Sequence, residues 1–525
     1  VRIIAGSVIL LILTSVASAQ YTNVRVSSLL STSPEEVTIA INPTDSLNLV
    51  AGANLRFVYY STDGGWNWIQ NQLPPGTYGD PCVVFDANGR AYYGHLADMT
   101  NRVPGGDWLD RITVHRSSNG GITWFDSTSA GLNAPKDQDK EWLAADMTNS
   151  PYRNNIYMAW TEFDTYGSAV TTDSTRILVS PSTDGGSTWL GPIRISDTGG
   201  DCIDQDNTVE GAVPAIGPDG EVYMAWSGPL GIMFDRSYDG GVTFGTDIFV
   251  SSQPGGWDFG IPGIFRANGL PVTACDVSTS PYRGTVYVLW SDQRNGSDNT
   301  DVFLAKSTNQ GTTWSSPIKV NADGGAAHQF FPWIAVDQSN GNLYAAFYDR
   351  RNYPAGDSTT DVFVARSTDG GETWNDFQVS QVPFVPRSSI FFGDYMNVAA
   401  GNGKVYPIWM RLDTSKLSVW TALIDDVVRV EEEPVALIRA FELGNNYPNP
   451  FNPSTTIPFT LAHRARVRLK VYDLLGRNCG TLIDRELPAG QHHARFYVDD
   501  LASGTYVYEL DAGTYRESKK LIIAR

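Results

Sequence analysis

One octapeptide recurs six times in this chain, and its spacing constrains the fold more than any other feature. The copies begin at Ser61 (STDGGWNW), Ser117 (SSNGGITW), Ser182 (STDGGSTW), Ser237 (SYDGGVTF), Ser307 (STNQGTTW) and Ser367 (STDGGETW). A strand-like segment precedes each copy, for example DVFLAKS before one and DVFVARS before another. Apolar and polar residues alternate there with period two, as in a half-buried strand. Another short strand follows, such as SPIKV. Each octapeptide is therefore read as a hairpin turn. Its glycines supply positive φ, its Asp or Asn accepts bonds from turn amides, and its terminal Trp or Phe starts the next strand.

A second repeat pairs an apolar strand, a turn and an aromatic strand. It runs over 39–52, 83–96, 143–160, 214–228, 273–290, 334–349 and 398–410. The first six instances are each followed by one octapeptide hairpin; the seventh is followed only by KLSVWTALI (416–424). Two hairpins make a four-stranded sheet of the size of a propeller blade. The early segment NVRVSS (23–28) has strand character and no partner nearby. The pattern predicts an all-β, seven-bladed β-propeller, with six blades as the alternative. The N-terminal strand closes the ring on the last blade, which removes the exposed edges of an open array.

At 525 residues the chain has room for more than one domain. The expected boundaries are a secretory signal peptide at 1–19, the propeller at 20–426, an acidic linker at 427–445 and a small C-terminal β-sandwich at 446–525. The signal-peptide reading rests on Arg2, the apolar run Val8–Leu13 and the small residues Ala17-Ser18-Ala19. No other stretch is apolar enough for a transmembrane span in the mature chain. The formal charge of −19 argues against nucleic acid and anionic membranes as partners. Cys82, Cys202, Cys275 and Cys479 fit no zinc spacing, and whether any pair as disulfides stays open.

The octapeptide resembles the Asp box, or BNR repeat, of sialidase-like propellers, with Asp63, Asp184, Asp239 and Asp369 at the acidic position and Asn119 and Asn309 in its place elsewhere. That resemblance spans roughly residues 21–426 and implies that the boxes are structural turns on the face away from any active site. The C-terminal segment resembles the sorting domain of the type IX secretion system, of the FlgD-like immunoglobulin style. It does so through YPNPFNP (447–453), YDLLGR (472–477), GTY (504–506) and the closing KKLII run. This resemblance implies a secreted or cell-surface protein and the secretion machinery as a partner.

Chemistry is expected on the rim opposite the octapeptides, where the longer loops lie. Those loops offer Asp139, Glu141, Glu162, Asp206, Glu210, Asp292, Asp349 and Asp394, with Arg266, Arg294, Arg350, Arg351, Arg387, Tyr395, Trp257 and His328. The catalytic candidates are Glu141, Glu210, Arg266, Asp292, Arg294, Asp349, Arg350, Arg387, Asp394 and Tyr395. A retaining sialidase needs three arginines on the substrate carboxylate, an Asp acid/base, a Tyr nucleophile and a Glu to activate it. The Phe/Tyr-Arg-Ile-Pro signature implied by the family is absent, and Leu55-Arg56-Phe57-Val58 is a poor stand-in. The bland alternative makes Asp292–Arg294 and Asp349–Arg350 salt bridges that brace loops. Asp201, Asp204 and Asp206 raise calcium as a cofactor, but their spacing fits a solvated turn better than a calcium loop. The expected partner is an extracellular glycan or glycoprotein. Two readings stay open: an exo-sialidase-like glycoside hydrolase, and a non-catalytic binding or structural surface propeller.

Overall fold

The computed structural model describes residues 21–29, 31, 34–97, 109–426, 441–461, 465–487, 490–498, 501–513 and 515–524. The expected signal peptide and most of the expected linker lie outside the described residues. The chain divides into two compact units, Val1–Val427 and Val428–Arg525.

Within the first unit the described residues form seven four-stranded antiparallel sheets and one two-stranded ribbon. In sheets one to six the strands follow chain order, at 38–72, 77–130, 137–194, 210–251, 272–319 and 329–378. The seventh sheet takes Asn397–Gly401, Lys404–Asp413 and Lys416–Asp425, and its outer strand is Thr22–Arg25. Thr22 pairs with Leu423 and Arg25 with Trp420, so the early strand completes the last sheet as expected. First strands of successive sheets pack against one another, and the seventh packs back against the first. This arrangement is that of a propeller.

Packing between sheets explains the aromatic second strands. Trp160, Trp226, Trp290 and Trp409 are fully buried, as are Tyr157, Tyr223 and Tyr287. Each ring fills the space between two twisted sheets, which diverge away from the axis.

The octapeptides join the third and fourth strands of sheets one to six. Their hydrogen bonds repeat. The opening Ser Oγ accepts the amide of the second glycine position in all six, at Gly65, Gly121, Gly186, Gly241, Gly311 and Gly371, over 2.8–2.9 Å. The Asp or Asn Oδ1 accepts that Ser hydroxyl and an amide four residues on. The Asp/Asn exchange has a local cause. Asp184, Asp239 and Asp369 accept the Thr hydroxyl, whereas Asn119 and Asn309 donate to it. A hydroxyl serves either way.

Each turn packs on the first hairpin of the preceding sheet. Asn48 Nδ2 donates to Gly120 O, Gln310 Nε2 donates to Glu221, and Gly240 and Gly370 lie against Tyr152 and Tyr282. Gly65 of the first sheet lies against Tyr406 and Leu423 of the seventh. Gly311 has φ +82°, and a Cβ there would fall 2.1 Å from Phe234 Cε1. Glycine is thus required by conformation and by space.

The second unit holds a three-stranded sheet (Glu442–Leu443, Ser454–Leu461, Gly490–Tyr497) and a four-stranded one ordered Asn478–Leu487, Ala465–Tyr472, Gly504–Ala512, Tyr515–Ile523. Inward residues of both sheets, including Ile457, Phe459, Leu469, Phe496, Tyr508 and Leu521, form one buried core. This is a β-sandwich. All four cysteines are free thiols, with Cys82, Cys202 and Cys275 buried.

The turn geometry makes a stability prediction. Asp184→Ala removes the acceptor for two amides and two hydroxyls. It is expected to cost about 1–2 kcal/mol in urea unfolding. Asp184→Asn is expected to be nearly neutral, as the two natural asparagines imply; an equal loss for both would refute the hydrogen-bond account.

Candidate functional site

Four first strands carry the same irregularity where they enter the sheet. Their register shifts between Gly79 and Cys82, Asp139 and Trp142, Glu210 and Val213, and Phe330 and Trp333. The bulged residues Asp80, Lys140, Gly211 and Phe331 all have positive φ, and Glu36 ahead of the first sheet has φ 53°. A bulge re-aims side chains and is favoured at the rim of a closed sheet. A left-handed conformation at Glu, Asp, Lys and Phe is uncommon and needs a compensating partner.

The compensation is an axial charge cluster. Lys140 Nζ lies 3.2 Å from Asp80 Oδ2 and 2.6 Å from Asp394 Oδ2. Arg266 approaches Asp394 from the other side, with Nε 2.9 Å from Oδ1 and a second bond from Nη2, and its Nη1 is 3.0 Å from Asp204. Tyr166 donates its hydroxyl to Asp204 at 2.5 Å. Asn268 Nδ2 ties the Asp394 carbonyl at 2.9 Å. Glu36 accepts a bond from Asn54 Nδ2. Strand entries from around the ring therefore meet over the axis.

The electrostatics follow from burial. Burial opposes the charge on Asp394, but Arg266 and Lys140 outweigh it and hold the carboxyl well below its ordinary range. Burial also opposes the Lys140 ammonium, and Asp394, Asp80, Asp139 and Glu36 together hold its pKa well above the usual lysine value. The neighbouring carboxyls go the other way. Burial pushes Asp139 up to about 8, and it pushes Glu36, Glu141 and Glu210 well above the carboxylate range. Both carboxylate oxygens of Glu141 and of Glu210 are buried, and the Asp204 carboxyl lies beside Glu210, which suits a protonated acid better than an anion. Tyr395 is buried, donates to Pro81 O at 3.3 Å, and is raised by burial and then by Asp80. Its ring edges the pair Trp142–Trp333, whose centroids are 4.3 Å apart. These rings plug the axis beneath the cluster. The cavity beside them, lined by Lys140, Asn268, Phe331, Asp394 and Tyr395 among others, holds only about 30 Å³.

The remaining sequence candidates lie apart from this cluster. Arg294 pairs with Asp292 at 2.6 Å and lies over the rings of Phe303 and Trp290. The pair expected between Asp349 and Arg350 does not form. Asp349 pairs with Arg351 at 2.6 Å, which also reaches Asp376 at 2.7 Å. Arg350 turns inward instead, donates to Thr360 Oγ1 at 3.1 Å and packs on Phe330. Neighbouring residues of a strand end point to opposite sides, so the acid and the arginine after it diverge. Glu162 pairs with Arg176 at 2.7 Å and Lys136 at 3.1 Å. His328 meets Thr300 Oγ1 at 3.0 Å, and burial lowers it to about 4. Trp257 is buried and donates to Thr208 O. Arg387 is exposed.

The Asp201–Asp206 segment does not converge on a common centre. Asp201 accepts the Ile203 amide and the Thr208 hydroxyl, Asp204 takes Arg266 and Tyr166, and Asp206 accepts the Asp258 amide. Among the described residues no group of three or more His, Cys, Asp or Glu is arranged to hold a metal ion. Among the described residues Arg266, Arg294 and Arg351 form no triad either, and each sits on its own carboxylates. Sequence reasoning reached Asp394, Arg266, Glu141, Glu210 and Tyr395, named Asp204 only as a calcium candidate, and missed Lys140, Asp80 and Glu36. The signal was the position two residues ahead of the aligned strand, which repeats as Glu36, Asp80 and Lys140.

Above the cluster, Phe265 is 65% exposed, and its ring lies 6.2 Å from Phe391 in an edge-to-face pair. The Arg266 guanidinium lies 5.6 Å from the Phe391 ring centre. The loops before the fifth and seventh sheets thus meet, and a bond from Ser358 to Pro262 O ties the former also to the loop between the second and third strands of the sixth sheet.

Residues 445–524 match the family model described as "Secretion system C-terminal sorting domain". The chain is accordingly a secreted or cell-surface protein that carries a type IX sorting domain. No curated protein matches the chain. Solved structures similar to it include the Hadza microbial sialidase Hz136, at 14% identity and a TM-score of 0.39, covering 73% of this chain and 75% of that one. Another is the α-L-arabinofuranosidase Arb93A from Fusarium graminearum, at 10% identity and TM-score 0.43, covering 65% and 91%. A third is the PL25 ulvan lyase, at 11% identity and TM-score 0.45, covering 77% and 96%.

The raised Asp139 carboxyl gives the site a pH signature. An unfolded aspartate loses its proton near pH 4, whereas this one keeps it to about 8. Between those values the folded state binds more protons, so this group makes stability fall as pH rises. Asp139→Asn is expected to flatten the decline between pH 4 and 8 in urea midpoints; an unchanged slope would refute the assignment.

Proposed function

We propose that this protein is a secreted, seven-bladed, Asp-box propeller that recognises neutral extracellular glycans on the rim above its axial charge cluster. In this reading a signal peptide at 1–19 precedes a propeller at 20–426, a linker at 427–445 and the sorting unit at 446–525. The observation that carries it is the exposed Phe265 paired with the half-buried Phe391 beside Arg266, over a cluster whose charges are already engaged. Aromatic faces flanked by a few fixed polar groups suit the apolar faces and hydroxyls of a sugar ring. The choice of neutral glycans follows from charge. The chain carries −19, Asp204 and Asp394 offset Arg266, and Asp206 and Asp258 lie nearby. An anionic sugar would approach against that field.

Sialidase chemistry is disfavoured because Arg266, Arg294 and Arg351 are tied to separate carboxylates. One observation favours a second reading, hydrolysis of a neutral glycoside. Asp139 stays protonated to about 8 while Asp394 is held ionised, and such a split supplies an acid and a carboxylate.

The test is calorimetric titration of the full chain with neutral and sialylated oligosaccharides, with sugar release measured in parallel. Binding of neutral glycans without turnover is expected. Phe391→Ala is expected to weaken binding about tenfold, as loss of one aromatic platform would. Turnover abolished by Asp139→Asn would favour the hydrolase, and no binding by any glycan would end both readings.

A further inference from the structure

The first strands enclose a second, chemically opposite space on the far side of the Trp142–Trp333 plug. It is an axial cavity of about 330 Å³. Its lining contains no Asp, Glu, Lys, Arg or His, and Cys275 is the only titratable residue along it. Small residues keep it open. Ala40, Ala274, Ala335 and Ala400 are only partly buried although they sit mid-strand in the inner ring, because they face this space. Trp142 and Trp333 close its inner end.

The opening lies on the octapeptide rim, between Met147, Thr148, Val277 and Gln338. The same four residues line an adjoining cleft of about 530 Å³ that includes Arg283. Arg283 is exposed and donates to the carbonyls of Val277 and Ser278. Among the described residues no ion pair holds it. Two nearby carboxylates are consumed in their own turns, while Asp219, exposed on the same cleft, is an acid that a bound anion would have to face. Asp146 accepts Thr148 and Ser150, and Asp276 accepts Ser278 and Ser280. A blind, uncharged channel with an uncommitted guanidinium at its mouth defines an amphiphile by its two ends. An uncharged cavity lined largely by apolar side chains gains by filling with hydrocarbon.

We propose that this channel is a binding site for a free long-chain aliphatic carboxylate, with the chain in the axial cavity and the carboxylate on Arg283. The blind end favours a single free acid over an acyl chain still held in a bilayer. This site is independent of the glycan rim, which lies beyond the aromatic plug.

The probe is sodium dodecanoate, titrated calorimetrically into the full chain below its micellar concentration. Hexanoate, octanoate, decanoate, dodecyltrimethylammonium and phosphatidylcholine vesicles form the comparison. Saturable one-to-one binding is expected, tightening about fourfold per added methylene. Arg283→Ala is expected to weaken dodecanoate about tenfold. The double substitution Ala144→Leu/Ala335→Leu is expected to abolish binding while melting remains cooperative. If that variant fails to fold, the Arg283→Ala result and the chain-length series decide. Absence of saturable binding, no chain-length dependence, indifference to Arg283→Ala, equal affinity for the cationic amphiphile, or preference for vesicles would each overturn the proposal.

Discussion

The Lys140 ammonium is the group on which the centre of this molecule depends. Six buried carboxyls, those of Glu36, Asp80, Asp139, Glu141, Glu210 and Asp394, gather around the axis. Their mutual repulsion would force the strand entries apart if all were ionised. Lys140 reaches Asp80 and Asp394 directly, and Arg266 takes the other edge of Asp394. Protonation disposes of the rest. Two cations and a set of protonated acids together let left-handed bulges from several sheets converge on one point.

That convergence gives the molecule two unlike ends. Above the cluster, charge is paired and two phenylalanines reach solvent. Below it, Trp142, Trp333 and Tyr395 seal an uncharged bore. The octapeptide turns stay on the lower rim because each packs on the first hairpin of the preceding sheet. Their carboxylates are spent on local amides and hydroxyls, which leaves the longer loops above free for recognition.

The fold was legible because its determinants are local. A serine hydroxyl, a glycine with positive φ and a carboxyl four residues before an amide recur within eight residues, so the string itself reports the turn. Closure was legible because Asn23–Arg25 had strand character and the last sheet lacked a strand. The centre was legible only in part. Asp394 and Arg266 stood out as loop residues of the right types, but their partner Lys140 sits between two acids in DQDKEW and reads as part of a solvated run. Only a bulge, invisible in period-two alternation, turns it to the axis. The Asp349–Arg350 expectation failed for the opposite reason: regular strand alternation sends adjacent side chains apart, and Arg351 takes the acid.

The most direct measurement is a double-mutant cycle between Lys140 and Asp394, read by urea unfolding of the full chain. Lys140→Met and Asp394→Asn should each destabilise by about 3 kcal/mol, since each strips a buried charge of one of its two partners, Asp394 keeping Arg266 and Lys140 keeping Asp80. The double variant should recover about 2 kcal/mol or more relative to the sum of the two. Strictly additive losses would mean that the ion pair does not hold the axis together, and the account of how the strand entries converge would be wrong.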